Sequence, residues 1–128
     1  MNEKILIVED DFPTLTLLEE GLRMKNFQTD SATSGKEALE KIEEIKKGNR
    51  EKPDLILLDI LLPDISGIEI LKEIRKNPET KDIKVFAFTN FSDPELNQKL
   101  IQEKIDEILL KVDVSLDQLV EIIREKLK

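Results

Sequence analysis

Cysteine is absent from all 128 residues, so neither a disulfide nor a thiolate metal site is open to this chain. Histidine is absent as well, which removes the commonest general base and the commonest zinc ligand. No apolar run approaches the roughly 20 residues that a bilayer span requires. The opening residues lead straight into a strand-like segment with no signal-peptide pattern, so a cytoplasmic location without membrane insertion is expected. Basic residues are in deficit: 20 Lys and Arg face 28 Asp and Glu, for a formal charge of −8. Direct nucleic-acid binding needs a basic face to displace phosphate counterions, and this balance disfavours it. Glycine is scarce, with 4 residues, while Glu, Lys and Ile are abundant, a composition met in proteins from hot environments. What is present is 39% hydrophobic and 38% charged residues, which describes one globular domain with a heavily charged surface.

Short apolar runs alternate with amphipathic stretches along the chain. Lys4 to Val8 is a β-branched run stopped by Glu9, Asp10 and Asp11. A run apolar on both faces suits an interior strand of a parallel sheet. Pro13 opens a helix with Leu15, Leu18 and Leu22 on one face and Asp11 as its cap. Phe27 to Ala32 reads as a more polar strand nearer an edge. Ser34 and Glu37 have capping-box spacing before a helix carrying Ala38, Leu39, Ile42 and Ile45. Asp54 to Leu58 is the most apolar strand and ends at Asp59; a turn at Pro63 and Gly67 then precedes a helix over Ile68 to Lys76. Ile83 to Phe88 ends at Thr89. A fourth helix follows Ser92-Asp93-Pro94-Glu95, with Leu96, Leu100 and Ile101 on its apolar face. Glu107 to Leu110 ends at Lys111, and Ser115 starts a last helix with Leu116, Leu119, Ile122, Ile123 and Leu127 at buried positions. Alternation of this kind predicts an α/β fold, an open, doubly wound parallel sheet of five strands over residues 1–128 as a single domain. In the flavodoxin-like order 2-1-3-4-5, if the strands take it, strands one and three are neighbours at the centre.

Ligands of such sheets bind beyond the carboxyl ends of the strands, and the polar residues there are Glu9 and Asp10, Asp59, Thr89 and Lys111. With strands one and three adjacent, the three carboxylates converge and repel one another unless a proton or a cation intervenes. Oxygen ligands without His or Cys point to Mg²⁺ or a similar hard ion. A lysine and a hydroxyl beside that ion suit a phosphoryl group, and an Asp carboxylate can itself be the nucleophile. Each residue also has an ordinary reading alone. Asp11 caps a helix, Asp59 ends a strand, Thr89 begins a loop, and Lys111 is a surface lysine. Their joint placement at successive strand ends is what carries the argument.

Taken together, Ile5-Leu6-Ile7-Val8-Glu9-Asp10, Asp59-Ile60-Leu61-Leu62-Pro63-Asp64-Ile65-Ser66-Gly67, Phe88-Thr89 and Leu110-Lys111 resemble the receiver domain of bacterial response regulators. The resemblance implies two-component signalling, with Asp59 as phosphoacceptor. It implies Mg²⁺ held by Asp10, by Asp59, by Glu9 largely through water and by the backbone carbonyl of Leu61. Thr89 would then bond a phosphoryl oxygen and Lys111 would pair with the phosphate. The donor implied is a sensor histidine kinase, a histidine phosphotransfer protein or a small acyl phosphate. A stand-alone receiver is expected, monomeric or weakly dimeric, which answers to a downstream protein through the fourth helix, fifth strand and fifth helix, with Phe91, Leu96 and Ile108 as contacts.

Three positions depart from the family pattern. Val112 follows Lys111 where the family usually has Pro, so a trans bond is expected. Ile108 stands where an aromatic is common. Lys104 occupies the usual Gly position after the fourth helix, and a different helix ending is expected because a left-handed Lys is strained. Val112 and Ile108 favour a rival reading, a pseudo-receiver that binds partners constitutively. An aspartate-nucleophile phosphatase would need a second Asp where Leu61 stands.

Overall fold

Strand and helix alternate from one end of the chain to the other in a computed structural model that describes residues 2–128. The elements are β1 (Lys4–Val8), α1 (Phe12–Met24), β2 (Gln28–Ala32), α2 (Gly35–Lys46), β3 (Leu55–Leu58), α3 (Gly67–Lys76), β4 (Lys84–Thr89), α4 (Pro94–Gln102), β5 (Glu107–Leu110) and α5 (Leu116–Lys126), with a 3-10 turn at Lys111–Asp113. All strands are parallel and lie in the order β2-β1-β3-β4-β5, as expected. No helix among the described residues is long and apolar enough to cross a membrane.

Alternation along each strand feeds two separate cores. Leu6 and Val8, Ile56 and Leu58, and Val85 and Ala87 face the layer of α2, α3 and α4, where Ala38, Ile42, Ile70, Leu71, Ile74 and Leu100 are buried. Ile5 and Ile7, Leu55 and Leu57, and Phe86 and Phe88 face α1 and α5 through Leu15, Leu18, Leu22, Leu119 and Ile123. A parallel sheet covered on both faces requires strands apolar on both sides. Polar β2 lies at an edge, where Lys41 and Arg50 bind Asp30.

Helix starts follow their caps. Asp11 accepts from Thr14 N–H, Ser34 from Glu37 N–H, and Asp93 from Glu95 and Leu96 N–H. Ser115 and Gln118 form a reciprocal capping box. Glu37 does not complete the expected box with Ser34; its Oε1 accepts from Thr33 N–H at 2.6 Å, one residue earlier.

Two further expectations are corrected. Ile101 is 63% exposed, because α4 buries a single stripe centred on Leu100 and Ile101 projects about 100° around the helix from it. Lys104 does adopt the left-handed conformation, with φ 62°. The helix ends in a Schellman motif in which Lys104 N–H donates to Ile101 O at 2.9 Å and Ile105 N–H to Leu100 O at 3.1 Å. The motif lays Ile105 against the core that holds Leu100, which outweighs the strain at Lys104. Asn26 and Gly48 occupy the equivalent place after α1 and α2, with φ of 72° and 80°.

Candidate functional site

The strand ends at the carboxyl edge of the sheet bring the acids together through register. Val8 pairs with Leu58, so Glu9 and Asp10 emerge beside Asp59, and Asp59 N–H donates to Val8 O at 3.0 Å. One carboxylate oxygen from each of Glu9, Asp10 and Asp59 lies within 4.8 Å of the others. Glu9 is 2% exposed and Asp59 7%, while Asp10 is open to solvent. Every buried side-chain polar atom among the described residues has a hydrogen-bond partner.

Lys111 crosses the sheet edge to join them. Its Nζ donates to Glu9 Oε1 at 2.5 Å and to Asp59 Oδ2 at 3.2 Å. No peptide bond among the described residues is cis, so Lys111 reaches the acids without a proline after it, and the trans bond before Val112 is as expected. Thr89 is 1% exposed and stands at the end of β4, one residue beyond the level of Asp59 in the β3–β4 register. Its Oγ1 accepts weakly from Phe91 N–H at 3.4 Å, so its own proton remains available to another acceptor. Leu61 N–H donates to Asp59 Oδ1 at 3.1 Å, bonding the residue two positions on to the central acid.

The charges are uneven: three carboxylates face one ammonium. Burial is the largest influence on Glu9 and raises its carboxyl above the ordinary value, with the hydrogen bonds from Lys111 and from Asp11 N–H offsetting it only in part. Burial also acts most strongly on Lys111, in the downward direction, but its bond to Glu9 and the attraction of Asp59 and Glu9 outweigh that and leave the ammonium raised. Such a surplus of hard oxygen donors fits a divalent cation, with Glu9, Asp10 and Asp59 available to hold it.

Two features were not visible in the residue pattern. Asp64, in the loop after β3, is bonded to the start of α2, and nothing in sequence spacing signals a link between residues so far apart. Arg75 reads as an ordinary cation in the last turn of a helix. It actually donates to Lys81 O, Ile83 O, Lys104 O and Asp106 Oδ2, tying the end of α3 to the approach to β4 and to the turn between α4 and β5.

An open α/β sheet with acids, a hydroxyl and a lysine at its carboxyl edge defines a class of signalling domain. The family model for the response regulator receiver domain matches residues 5–124, and the chain belongs to that family. It is 37% identical over 99 residues to the sporulation initiation phosphotransferase F of Bacillus subtilis, covering 77% of this chain and 73% of that protein. It is 35% identical over 92 residues to the polar-differentiation response regulator DivK of Brucella ovis, covering 72% and 70% respectively. The PhoP regulator of alkaline phosphatase synthesis in B. subtilis shares 43% identity over 76 residues, and that match spans 29% of its length. Among solved structures, a CheY-like receiver domain protein from Methanospirillum hungatei superposes with a TM-score of 0.85 at 28% identity, over 99% of this chain and 94% of that one.

Proposed function

We propose that Asp59 accepts a phosphoryl group in a Mg²⁺-dependent reaction, and that the modified domain signals by contact with another protein. The supporting observation is Lys111, which bridges Glu9 and Asp59 from a third strand end across a cluster of three carboxylates. A phosphohistidine on a sensor histidine kinase or a phosphotransfer protein is the donor, in the cytoplasm. An Asp59 oxygen forms the new bond to phosphorus while the P–N bond breaks, and the electron pair leaves on the imidazole nitrogen. A small acyl phosphate serves in the same way, with a carboxylate as leaving group.

Within this reading Asp10, Asp59, the Leu61 carbonyl and, largely through water, Glu9 would hold the metal, which would supply positive charge to the phosphoryl oxygens. Thr89 donates its hydroxyl proton to one of those oxygens. Lys111 turns one N–H from Asp59 toward another, neutralising charge where it accumulates. The similarity to a sporulation initiation phosphotransferase lends the reading weight.

Intact mass after incubation with acetyl phosphate and Mg²⁺ tests it. Wild type is expected to gain one phosphoryl group and Asp59→Ala none. An unmodified wild type would instead favour a pseudo-receiver, the reading that Ile108 and Val112 support. For output, the face of α4, β5 and α5 is the proposed contact, with exposed Phe91 and half-buried Leu96 and Ile108 on or beside it. Amide exchange on that face should change when beryllofluoride and Mg²⁺ are added, and unchanged exchange there would reject it.

A further inference from the structure

The loop from Asp59 to Gly67 begins at the central acid and is anchored at both ends. Asp59 N–H donates to Val8 O at 3.0 Å, and Gly67 N–H closes back on Ile60 O at 2.9 Å. Between them lies a third anchor, directed at a different helix. Asp64 Oδ1 accepts from Gly35 N–H at 2.9 Å, and Asp64 Oδ2 accepts from Lys36 N–H at 2.9 Å. Oδ1 accepts in addition from Ile65 N–H at 3.0 Å. Gly35 and Lys36 supply the first two amides of α2, and Ser34 Oγ takes the next, from Glu37 N–H at 3.1 Å. Free amides and the positive end of the helix dipole together favour a carboxylate at this position.

The contact is close as well as polar. A Cβ on Gly35 would lie 2.8 Å from Ile65 Cβ and 3.1 Å from Asp64 Oδ1, so the loop rests directly on the start of the helix. Ser34 already caps α2 in the ordinary way. The additional carboxylate therefore does something a helix cap alone does not require: it fixes the loop to the helix.

We infer that Asp64 is a positioning residue for the divalent cation, clamping the acceptor loop to α2 and so limiting the freedom of the Leu61 carbonyl that would ligate the ion; this rests on the phosphoacceptor reading above. Leu61 lies between the Asp59 and Asp64 anchors, and its own side chain is 54% exposed and cannot hold the segment by burial. Its amide bond to Asp59 Oδ1 and the Asp64 clamp are the polar restraints on either side of that carbonyl. Removing the clamp leaves the segment to be ordered at the moment the ion binds, which weakens binding.

The test compares wild type, Asp64→Ala, Asp64→Asn and Ser34→Ala by calorimetric titration with MgCl₂, alongside thermal unfolding of each in EDTA. Asp64→Ala is expected to weaken Mg²⁺ binding about 10-fold, the lower end of the range for groups that orient metal ligands. Asp64→Asn keeps one acceptor oxygen and should fall between it and wild type. Ser34→Ala removes a cap from the same helix end without touching the loop. It should lower the unfolding midpoint and leave Mg²⁺ affinity near that of wild type. Equal loss of affinity in Ser34→Ala and Asp64→Ala would make Asp64 a helix cap only and overturn the inference. So would an Asp64→Ala protein that binds Mg²⁺ as wild type does. A wild type with no Mg²⁺ affinity would instead overturn the phosphoacceptor reading, and this inference with it.

Discussion

Lys104 and Glu9 are the residues whose local chemistry is most at odds with their position. A left-handed conformation costs a non-glycine residue about 1–2 kcal/mol, and glycine gives back part of that gain through the freedom it has in the unfolded chain. Lys104 contributes its backbone N–H and C=O to the helix ending and to Arg75, and these survive substitution. Lys104→Gly is therefore expected to stabilise the fold by about 0.5–1 kcal/mol. Urea unfolding would measure this as a raised midpoint at unchanged slope, and a lowered midpoint would mean that the lysine side chain makes a contact of its own. Glu9 is strained in a different sense. It is a carboxylate placed almost out of water, and Lys111, its cationic partner among the described residues, is shared with Asp59.

At the scale of elements, the junction between β3 and α3 is a place where backbone packs closely on backbone. Gly67 begins α3, and a Cβ there would lie 2.7 Å from Ile60 Cα and 2.8 Å from Asp59 O. Both neighbours are backbone, so neither can swing aside as a side-chain tip could. The gain from replacing glycine by alanine in a helix, about 1 kcal/mol, is thus opposed by displacement of the strand end. Gly67→Ala is expected to destabilise by about 1–3 kcal/mol, the range for overpacking, and to shift the amide resonances of Asp59 and Ile60. An alanine variant as stable as wild type, with those resonances in place, would refute this. The glycine pattern in the sequence identified the position, but its reason is close approach of two backbones, since Gly67 is not among the residues with positive φ.

For the whole molecule, the few carboxyls that are moved from their ordinary values act on folding in opposite directions. Asp30 and Asp64 are held below the ordinary value of 3.8. In Asp30 burial is the largest influence and acts upward, but Lys41, the Ser31 amide and Arg50 together outweigh it; in Asp64 the amides of Lys36 and Gly35 dominate. Their stabilisation is present above 3.8 and is lost as pH falls through the lower native values. Glu9 is raised above its ordinary 4.5, so its penalty is absent below that pH and grows as pH rises through the native value. A bound cation removes that penalty. The stabilisation by Mg²⁺, about 2.7 kcal/mol at 100 times its Kd, should accordingly be larger near pH 7.5 than near pH 5 at one fixed Mg²⁺ concentration. Urea midpoints at the two pH values, with MgCl₂ and with EDTA, would measure it; equal increments would separate Glu9 from the metal.

Alternation of doubly apolar runs with amphipathic stretches was enough to determine the elements, their parallel direction and the strand ends that carry Glu9, Asp10, Asp59, Thr89 and Lys111. Burial of periodic apolar faces is a local demand that each segment states by itself, and side chains that follow a strand directly inherit its position. The left-handed ending at Lys104, the exposure of Ile101, the four-way grip of Arg75 and the bond from Asp64 to α2 were decided only in three dimensions. Each depends on which backbone amide, carbonyl or apolar surface a distant segment presents. Hydrogen bonds of that kind are satisfied wherever the fold delivers a partner, so no spacing along the chain records them.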